Sequence, residues 1–251
     1  MRCPVPVAVA TTLLLILGLA PPRQEGRPKV LILTGENNHH WKETTPFLKK
    51  ALEDRGRLDV DVSDDSEAPI LADAGKLKPY KVLVLNLNRR KRWARDREAN
   101  FLAFVRDGGG VVVVHAADNA FDGWDEYDKL VGGTWRAKGT AFPNRGTFHP
   151  EYGRFEVKVV DRDHPITRGL GASFTTKDEK YTNLKLQENI HVLAEASHDG
   201  KPQPLLFWSE YGKGRMFQTA LGHDLAAMRT PEFLTTFVRG TRWAAGLDAG
   251  P

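Results

Sequence analysis

The stretch GGGVVVVHAADNAF, residues 108–121, decides the fold. Four valines after three glycines make a short, unalternating apolar run, the pattern of a strand buried on both faces of a parallel sheet. Such a strand delivers its next residue, His115, to the carboxyl edge of the sheet, where open α/β proteins keep their chemistry. The histidine there sets the question of what that edge does.

The segments on either side of this strand alternate in character. KVLILTG (29–35) is an apolar run ending in glycine, and TTPFLKKALEDRG (44–56) places Phe47, Leu48, Ala51 and Leu52 at helical spacing before Gly56. LDVDVSDD (58–65) alternates as a strand, residues 81–87 predict another, and DREANFLAFVRDGGG (96–110) predicts a helix stopped by glycine. Strands alternating with helices imply a mostly parallel sheet with helices on both faces, an α/β fold. Towards the C-terminus the texture changes. YGRFEVKVV, IHVLAEAS and PLLFWSEYGKGRMFQTALG are strand-like, the last with a Gly-Lys-Gly hairpin turn, and PEFLTTFVRGTRWAAG (231–246) predicts a closing amphipathic helix. With no repeat or linker after residue 28, one domain is the simplest count. The glycine-rich loop 132–152 lacks periodicity and suits a lid.

The chain's 251 residues carry 36 basic and 32 acidic side chains, a net charge of +4. The basic residues are scattered except for RRKRWAR (89–95), which reads as a solvated helix start. Nucleic acid is therefore not the expected partner, because binding it takes a denser basic stripe. Residues 1–23 open with one early positive charge, a short apolar core and small residues, the pattern of a secretory signal peptide; an uncleaved N-terminal anchor is the alternative, because Pro21 and Pro22 follow Ala20. The single cysteine, Cys3, lies in that segment, so an exported mature chain would hold no thiol or disulfide.

Several of the eight histidines fall where predicted strands end. The loop after the first strand carries Glu36, His39, His40 and Trp41; the loop after the valine strand carries His115, Asp118 and Asn119; the loop after the last strand carries His223 and Asp224. Parallel strands share one carboxyl edge, so these loops can converge for acid–base work or for a metal site. Plainer roles stand beside each: His115 as a satisfied buried imidazole, His39 or His40 as a loop cap, Asp224 as a helix N-cap. DRDHPITRGL (161–170) reads as a structural turn, whereas KDEKYTNL gathers Asp178, Glu179 and Tyr181 in a polar loop. Trp41, Trp124, Trp135 and Trp208 lie near these loops, and indoles mixed with Asp, Asn and His suit a polyol better than a lipid or nucleotide. No phosphate-binding glycine motif follows a strand.

The set TGENNHHWKETTPFLKKALE, GGGVVVVHAADNAFDGWDEY, DHPITRGL, DEKY and YGKGRMFQTALGHD resembles the ThuA-like family, named for trehalose utilisation, over about residues 28–246. The resemblance implies a three-layer, flavodoxin-like architecture related to class I glutamine amidotransferases. Where those enzymes place a cysteine nucleophile this chain has His115, which excludes glutaminase chemistry through a thiolate. The family pattern favours His39 over His40 and adds His149 to the pocket.

The resemblance implies carbohydrate metabolism, with oxidised (3-keto) disaccharides or glycosides as the substrate class and a small carbohydrate as partner. On the enzyme reading, His115 or His223 moves a proton with Glu179 as acid–base partner, and Trp41, Asp118, Asn119, Trp124, Tyr181 and His149 contact the substrate. A divalent metal is the candidate cofactor, with His39, His115 and His223 as ligands. The alternative is a non-catalytic carbohydrate-binding module on a decayed amidotransferase scaffold. The expected location is periplasmic or extracellular; the sequence does not give the oligomeric state.

Overall fold

The computed structural model describes residues 26–136 and 146–250. The expected leader, residues 1–23, and the middle of the expected lid loop, 137–145, lie outside the described residues. Among the described residues no helix is long and apolar enough to cross a membrane.

The valine strand is β4 (Gly110–Val114), every residue of it buried. Its parallel neighbours are β3 (Tyr80–Asn86) and, on the other side, the late strand β11 (Gly214–Thr219). β1 (Lys29–Thr34) pairs parallel with β3 and with the edge strand β2 (Asp59–Ser63). Burying each of these Val and Leu side chains contributes about 1.5–3 kcal/mol, which is why near-continuous apolar runs settle here.

Beyond β11 the sheet departs from the parallel pattern. β10 (Lys201–Tyr211), β9 (His191–His198), β6 (Gly153–Val159) and β7 (Ser173–Asp178) extend it, each antiparallel to its neighbour. The nine-stranded order is β2-β1-β3-β4-β11-β10-β9-β6-β7. The alternation of direction returns β7 to the sense of β4 and β11, so the residue after β7, Glu179, emerges at the same carboxyl edge as His115. A separate two-stranded ribbon pairs β5 (Gly133–Thr134) with β8 (Lys185–Leu186).

Helices cover both faces. Phe217 of β11 packs under Gly240 of α5 (Pro231–Ala244), where a Cβ would collide with its ring, while the adjacent Met216 faces Gly132 at the end of α3 (Asp125–Val131). Adjacent residues on one strand point to opposite faces, so α5 and α3 lie on opposite sides. α1 (Trp41–Asp54) starts three residues before the predicted helix, at Trp41, and carries Pro46 within it. Its first turns are tied to the sheet: Thr34 and Thr45 hydroxyls share a hydrogen bond of 2.8 Å, and Asn86 Nδ2 donates to Thr44 and Thr45 at 3.1 and 2.9 Å. Those bonds hold the 35–40 loop over the ends of β1 and β3.

The basic run 89–95 differs from a solvated helix start. It precedes α2 (Arg95–Arg106) as a loop in which Arg89 is buried against Glu67 and the Ser66 carbonyl, and Trp93 packs in the core. Arg90 and Arg92 pair with Asp122 and Glu98, both at 2.6 Å. The DHPITRGL segment is the structural turn expected of it: Asp161 Oδ1 accepts the N–H groups of Asp163 and His164, and Ile166 is buried in the core.

Candidate metal centre

Three strand ends deliver histidines. Gly35 terminates β1 at φ +135, so close to the Ser66 backbone that a Cβ would stand 2.7 Å from its nitrogen, and the chain then turns to His39. His115 follows β4 and opens a short 3-10 turn (His115–Asn119) with φ +45, a left-handed conformation that costs a non-glycine residue about 1–2 kcal/mol. A strained strand-to-helix turn is how an elbow projects its side chain above the sheet. His223 follows β11 after Gly222, whose φ of +107 and contact with Phe233 leave no room for a side chain.

Glu179 joins them from the end of β7. Its neighbour Asp178, buried, takes the backbone N–H of Gly222 at 2.7 Å, of His223 at 3.1 Å and of Glu179 at 2.8 Å. β7 and β11 are separated by three strands in the sheet, so this carboxylate closes a curled antiparallel flank onto the parallel half. Burial pushes the Asp178 carboxyl up to about 7, against the lowering effect of those three N–H groups.

The four side chains meet. Glu179 Oε2 lies 3.7 Å from His39 Nε2, 3.3 Å from His115 Nε2 and 3.1 Å from His223 Nδ1, and one ligand atom from each residue falls within 4.8 Å of all the others. The ring nitrogens facing away decide what points inward. His115 Nδ1 is 2.7 Å from the Ala220 carbonyl and His39 Nδ1 is 3.1 Å from Asn37 Oδ1, which also takes the His39 backbone N–H. A carbonyl oxygen only accepts, so each of these nitrogens carries the hydrogen and each Nε2 presents a lone pair. His223 Nδ1 is buried, and Glu179 Oε2 is the atom it faces.

Lone pairs and a carboxylate facing one another at this range are mutually repulsive unless a cation or protons stand between them. Burial drives the His115 imidazole down to about 4, so it is neutral. Burial alone would raise the Glu179 carboxyl, but its contacts with His115, His223 and His39 outweigh that and hold it well below the usual range, as an anion. The Glu179 carboxylate in turn raises His223. Three imidazoles and one carboxylate suit a first-row divalent ion, whose ligand atoms at about 2.0–2.2 Å would stand roughly 3.3 Å apart in a tetrahedron. The Asn37 and Ala220 hydrogen bonds are the outer contacts that orient metal-binding imidazoles.

The remaining predicted residues divide. His149 Nε2 reaches the other oxygen of Glu179, Oε1, at 3.5 Å, with Nδ1 held by the Pro150 carbonyl at 2.8 Å and its side chain 37% exposed. The Tyr181 hydroxyl stands 2.9 Å from His115 Nε2, and Trp135 packs against both Tyr181 and His149. Trp41 opens α1 and Asn119 closes the 3-10 turn, both partly exposed. Two expectations are corrected. Trp124 is buried in an aromatic cluster with Trp93, Phe101, Phe121 and Tyr127, and so belongs to the core. Asp118 is fully buried, its carboxyl accepting from Gln218 Nε2 at 3.1 Å, so it supports the turn from behind. Asp224 does cap α4 (Leu225–Met228), accepting the Ala227 N–H, and also takes the Tyr152 hydroxyl at 3.0 Å. Tyr152, whose ring lies 5.2 Å from that of His223, was missed by sequence reasoning, and Asp178 was grouped with Glu179 without its role as the acceptor for three backbone N–H groups. For Tyr152 its position directly after HPE was the available signal.

Comparison with known proteins places the fold. The fold is similar to that of a ThuA-like protein of Parabacteroides merdae, at 30% identity and a TM-score of 0.79, covering 90% of this chain and 92% of that one. A ThuA-like protein of Bacteroides uniformis is similar at 21% identity and a TM-score of 0.69, covering 90% and 94%. At the level of fold alone, the chain also resembles part of a β-galactosidase from Bacillus circulans, at 15% identity and a TM-score of 0.59, covering 88% of this chain but 32% of the enzyme. No curated protein matches the sequence. The ThuA family model, trehalose utilisation, matches residues 29–244, and the chain belongs to that family.

Proposed function

We propose that this ThuA-family chain is an exported, divalent-metal-dependent enzyme that acts on a keto-disaccharide or keto-glycoside by proton abstraction beside the carbonyl. The observation that carries the reading is the convergence of His39, His115, His223 and Glu179, with the outer nitrogens of His39 and His115 tied to oxygen acceptors. A divalent ion bound there supplies Lewis acidity to a carbonyl oxygen, and a carbonyl acidifies the neighbouring C–H.

The geometry redistributes the expected roles. His115 and His223 serve as ligands, because a buried imidazole held down to about 4 is a poor base near neutrality. Proton movement falls to His149, which lies 3.5 Å from Glu179 Oε1 and is partly exposed, while Glu179 Oε2 faces the histidines as a ligand. The partly exposed Trp135, Tyr152 and Trp41 offer faces for a sugar ring. Export through residues 1–23, with the leader either cleaved or kept as an anchor, belongs to the same proposal.

The test is turnover of a synthetic 3-keto disaccharide, 3-ketotrehalose, followed by NMR with wild type and Glu179→Gln. Conversion by wild type and its loss in the variant support the enzyme reading. Saturable binding with no conversion at any metal loading would instead mean a carbohydrate-binding module.

A further inference from the structure

His39 and His115 use their N–H groups on Asn37 and Ala220 and so turn bare Nε2 atoms inward, and the Glu179 carboxylate, which has no hydrogen of its own to give, faces these atoms and His223 Nδ1 at 3.1–3.7 Å. Tyr181 alone among the described residues aims a hydroxyl hydrogen at the set, at His115 Nε2, 2.9 Å away. It is 3% exposed, its ring centroid 4.4 Å from that of His115 and 4.6 Å from that of Trp135 in a T-shaped contact. The backbone beside it is clamped, since Phe148 and Thr182 exchange N–H to carbonyl bonds of 3.1 and 2.8 Å. The other phenol of the region, Tyr152, is committed to Asp224.

We propose that Tyr181 is a catalytic hydrogen-bond donor to the carbonyl oxygen of the substrate, so that the site takes carbonyl-bearing sugars. This rests on the function proposed above. Were His39, His115, His223 and Glu179 to hold a cation, the Tyr181 hydroxyl would be the group left to meet an oxygen placed at the centre, and it would meet that oxygen as a donor. When the base takes the proton from the adjacent carbon, the C–H electron pair forms a C=C bond and the C=O pair moves onto oxygen. The charge growing there strengthens the O–H···O bond in the transition state more than in the ground state. In the following elimination the oxygen pair re-forms C=O, the enolate C=C pair moves to make a new C=C bond to the anomeric carbon, the glycosidic C–O bond breaks, and the leaving oxygen takes back the proton that the base removed.

Tyr181→Phe keeps the ring packing and removes the donor. The reaction to follow is exchange of the C–H beside the carbonyl of methyl 3-keto-α-glucoside in D2O, by NMR, with metal content measured on the same samples. The expected result is a 10²–10³-fold lower maximal exchange rate, a half-saturation changed less than about tenfold, and unaltered metal content, in line with loss of one oxyanion donor. Exchange in the variant within threefold of wild type, or loss of its metal, overturns the donor role while leaving the metal centre standing. A metal-loaded wild type that shows no exchange overturns the proposed reaction itself, and the donor role with it.

Discussion

Asp178 holds the backbone of His223: its carboxylate accepts that N–H at 3.1 Å, while the His223 imidazole turns its Nδ1 to Glu179, 3.1 Å from Oε2. One buried carboxylate thus fixes two of the four inward-facing side chains, because it also takes the N–H groups of Glu179 and Gly222. Asp178→Ala would leave three backbone donors near the site without their acceptor. The expected cost is roughly 2–4 kcal/mol of stability, at about 1–3 kcal/mol per unsatisfied buried group with some relaxation, and about 10–100-fold in metal affinity. Urea unfolding and metal titration on the same variant measure both, and a loss of stability without a loss of affinity would contradict the positioning role.

His39 and His40 are adjacent in sequence yet differ in placement. His39 Nε2 faces Glu179, whereas the His40 side chain is exposed and sits 3.8 Å from Glu43 on the outside of α1. His39→Ala should weaken metal binding by at least tenfold, and His40→Ala should change it by less than twofold, read by isothermal titration with zinc or manganese. Equal effects would remove His39 from the ligand set.

Trp124 illustrates a core role where composition invited a sugar contact. Its indole is 3% exposed and stacks on Tyr127 at 5.6 Å. Trp124→Ala is expected to cost about 3–5 kcal/mol, as deletion of a large buried aromatic does, with metal stoichiometry unchanged in the folded fraction. A variant of wild-type stability that fails to bind a keto-sugar would restore Trp124 to the pocket.

Asp118 supplies a pH dependence. Burial holds its carboxyl well above the ordinary carboxylate range in the folded protein, while in the unfolded chain it ionises near pH 4. Below that pH both states are protonated and no penalty exists. As pH rises the unfolded state sheds the proton first, so the folded state loses about 1.4 kcal/mol per pH unit up to its own pKa. Asp118→Asn has no such group, and its stability relative to wild type should rise as pH increases above 4, levelling off once the folded carboxyl itself ionises. Unfolding curves at pH 4, 5, 6 and 7 give the slope, and parallel behaviour of the two proteins would contradict it.

What the sequence reveals depends on how directly a residue's position follows from local pattern. Val111 to Val114 announce a fully buried strand, and a parallel sheet then places whatever follows β1, β4 and β11 at one edge, so His39, His115 and His223 were readable as a group. Glu179 was readable as a pocket residue but not as a member of the ligand set. It follows β7, an antiparallel strand of mixed burial far from β11 in strand order, and its arrival depends on the curl that Asp178 closes. Neighbouring carboxylates in a strand end point apart, and local pattern does not say which turns inward. For Trp124, Phe121 and Tyr127 lie close in sequence, but the facing side of an indole is set by tertiary packing with Trp93 and Phe101.

The central claim is that these four side chains hold a divalent ion. Elemental mass spectrometry of the purified protein measures it, with wild type compared against His115→Ala and His223→Ala variants shown to be folded. The account predicts close to one transition-metal ion per chain in wild type and near-complete loss in both variants. Wild type that remains metal-free after incubation with zinc, manganese, iron and copper, or variants that keep their metal, would contradict it.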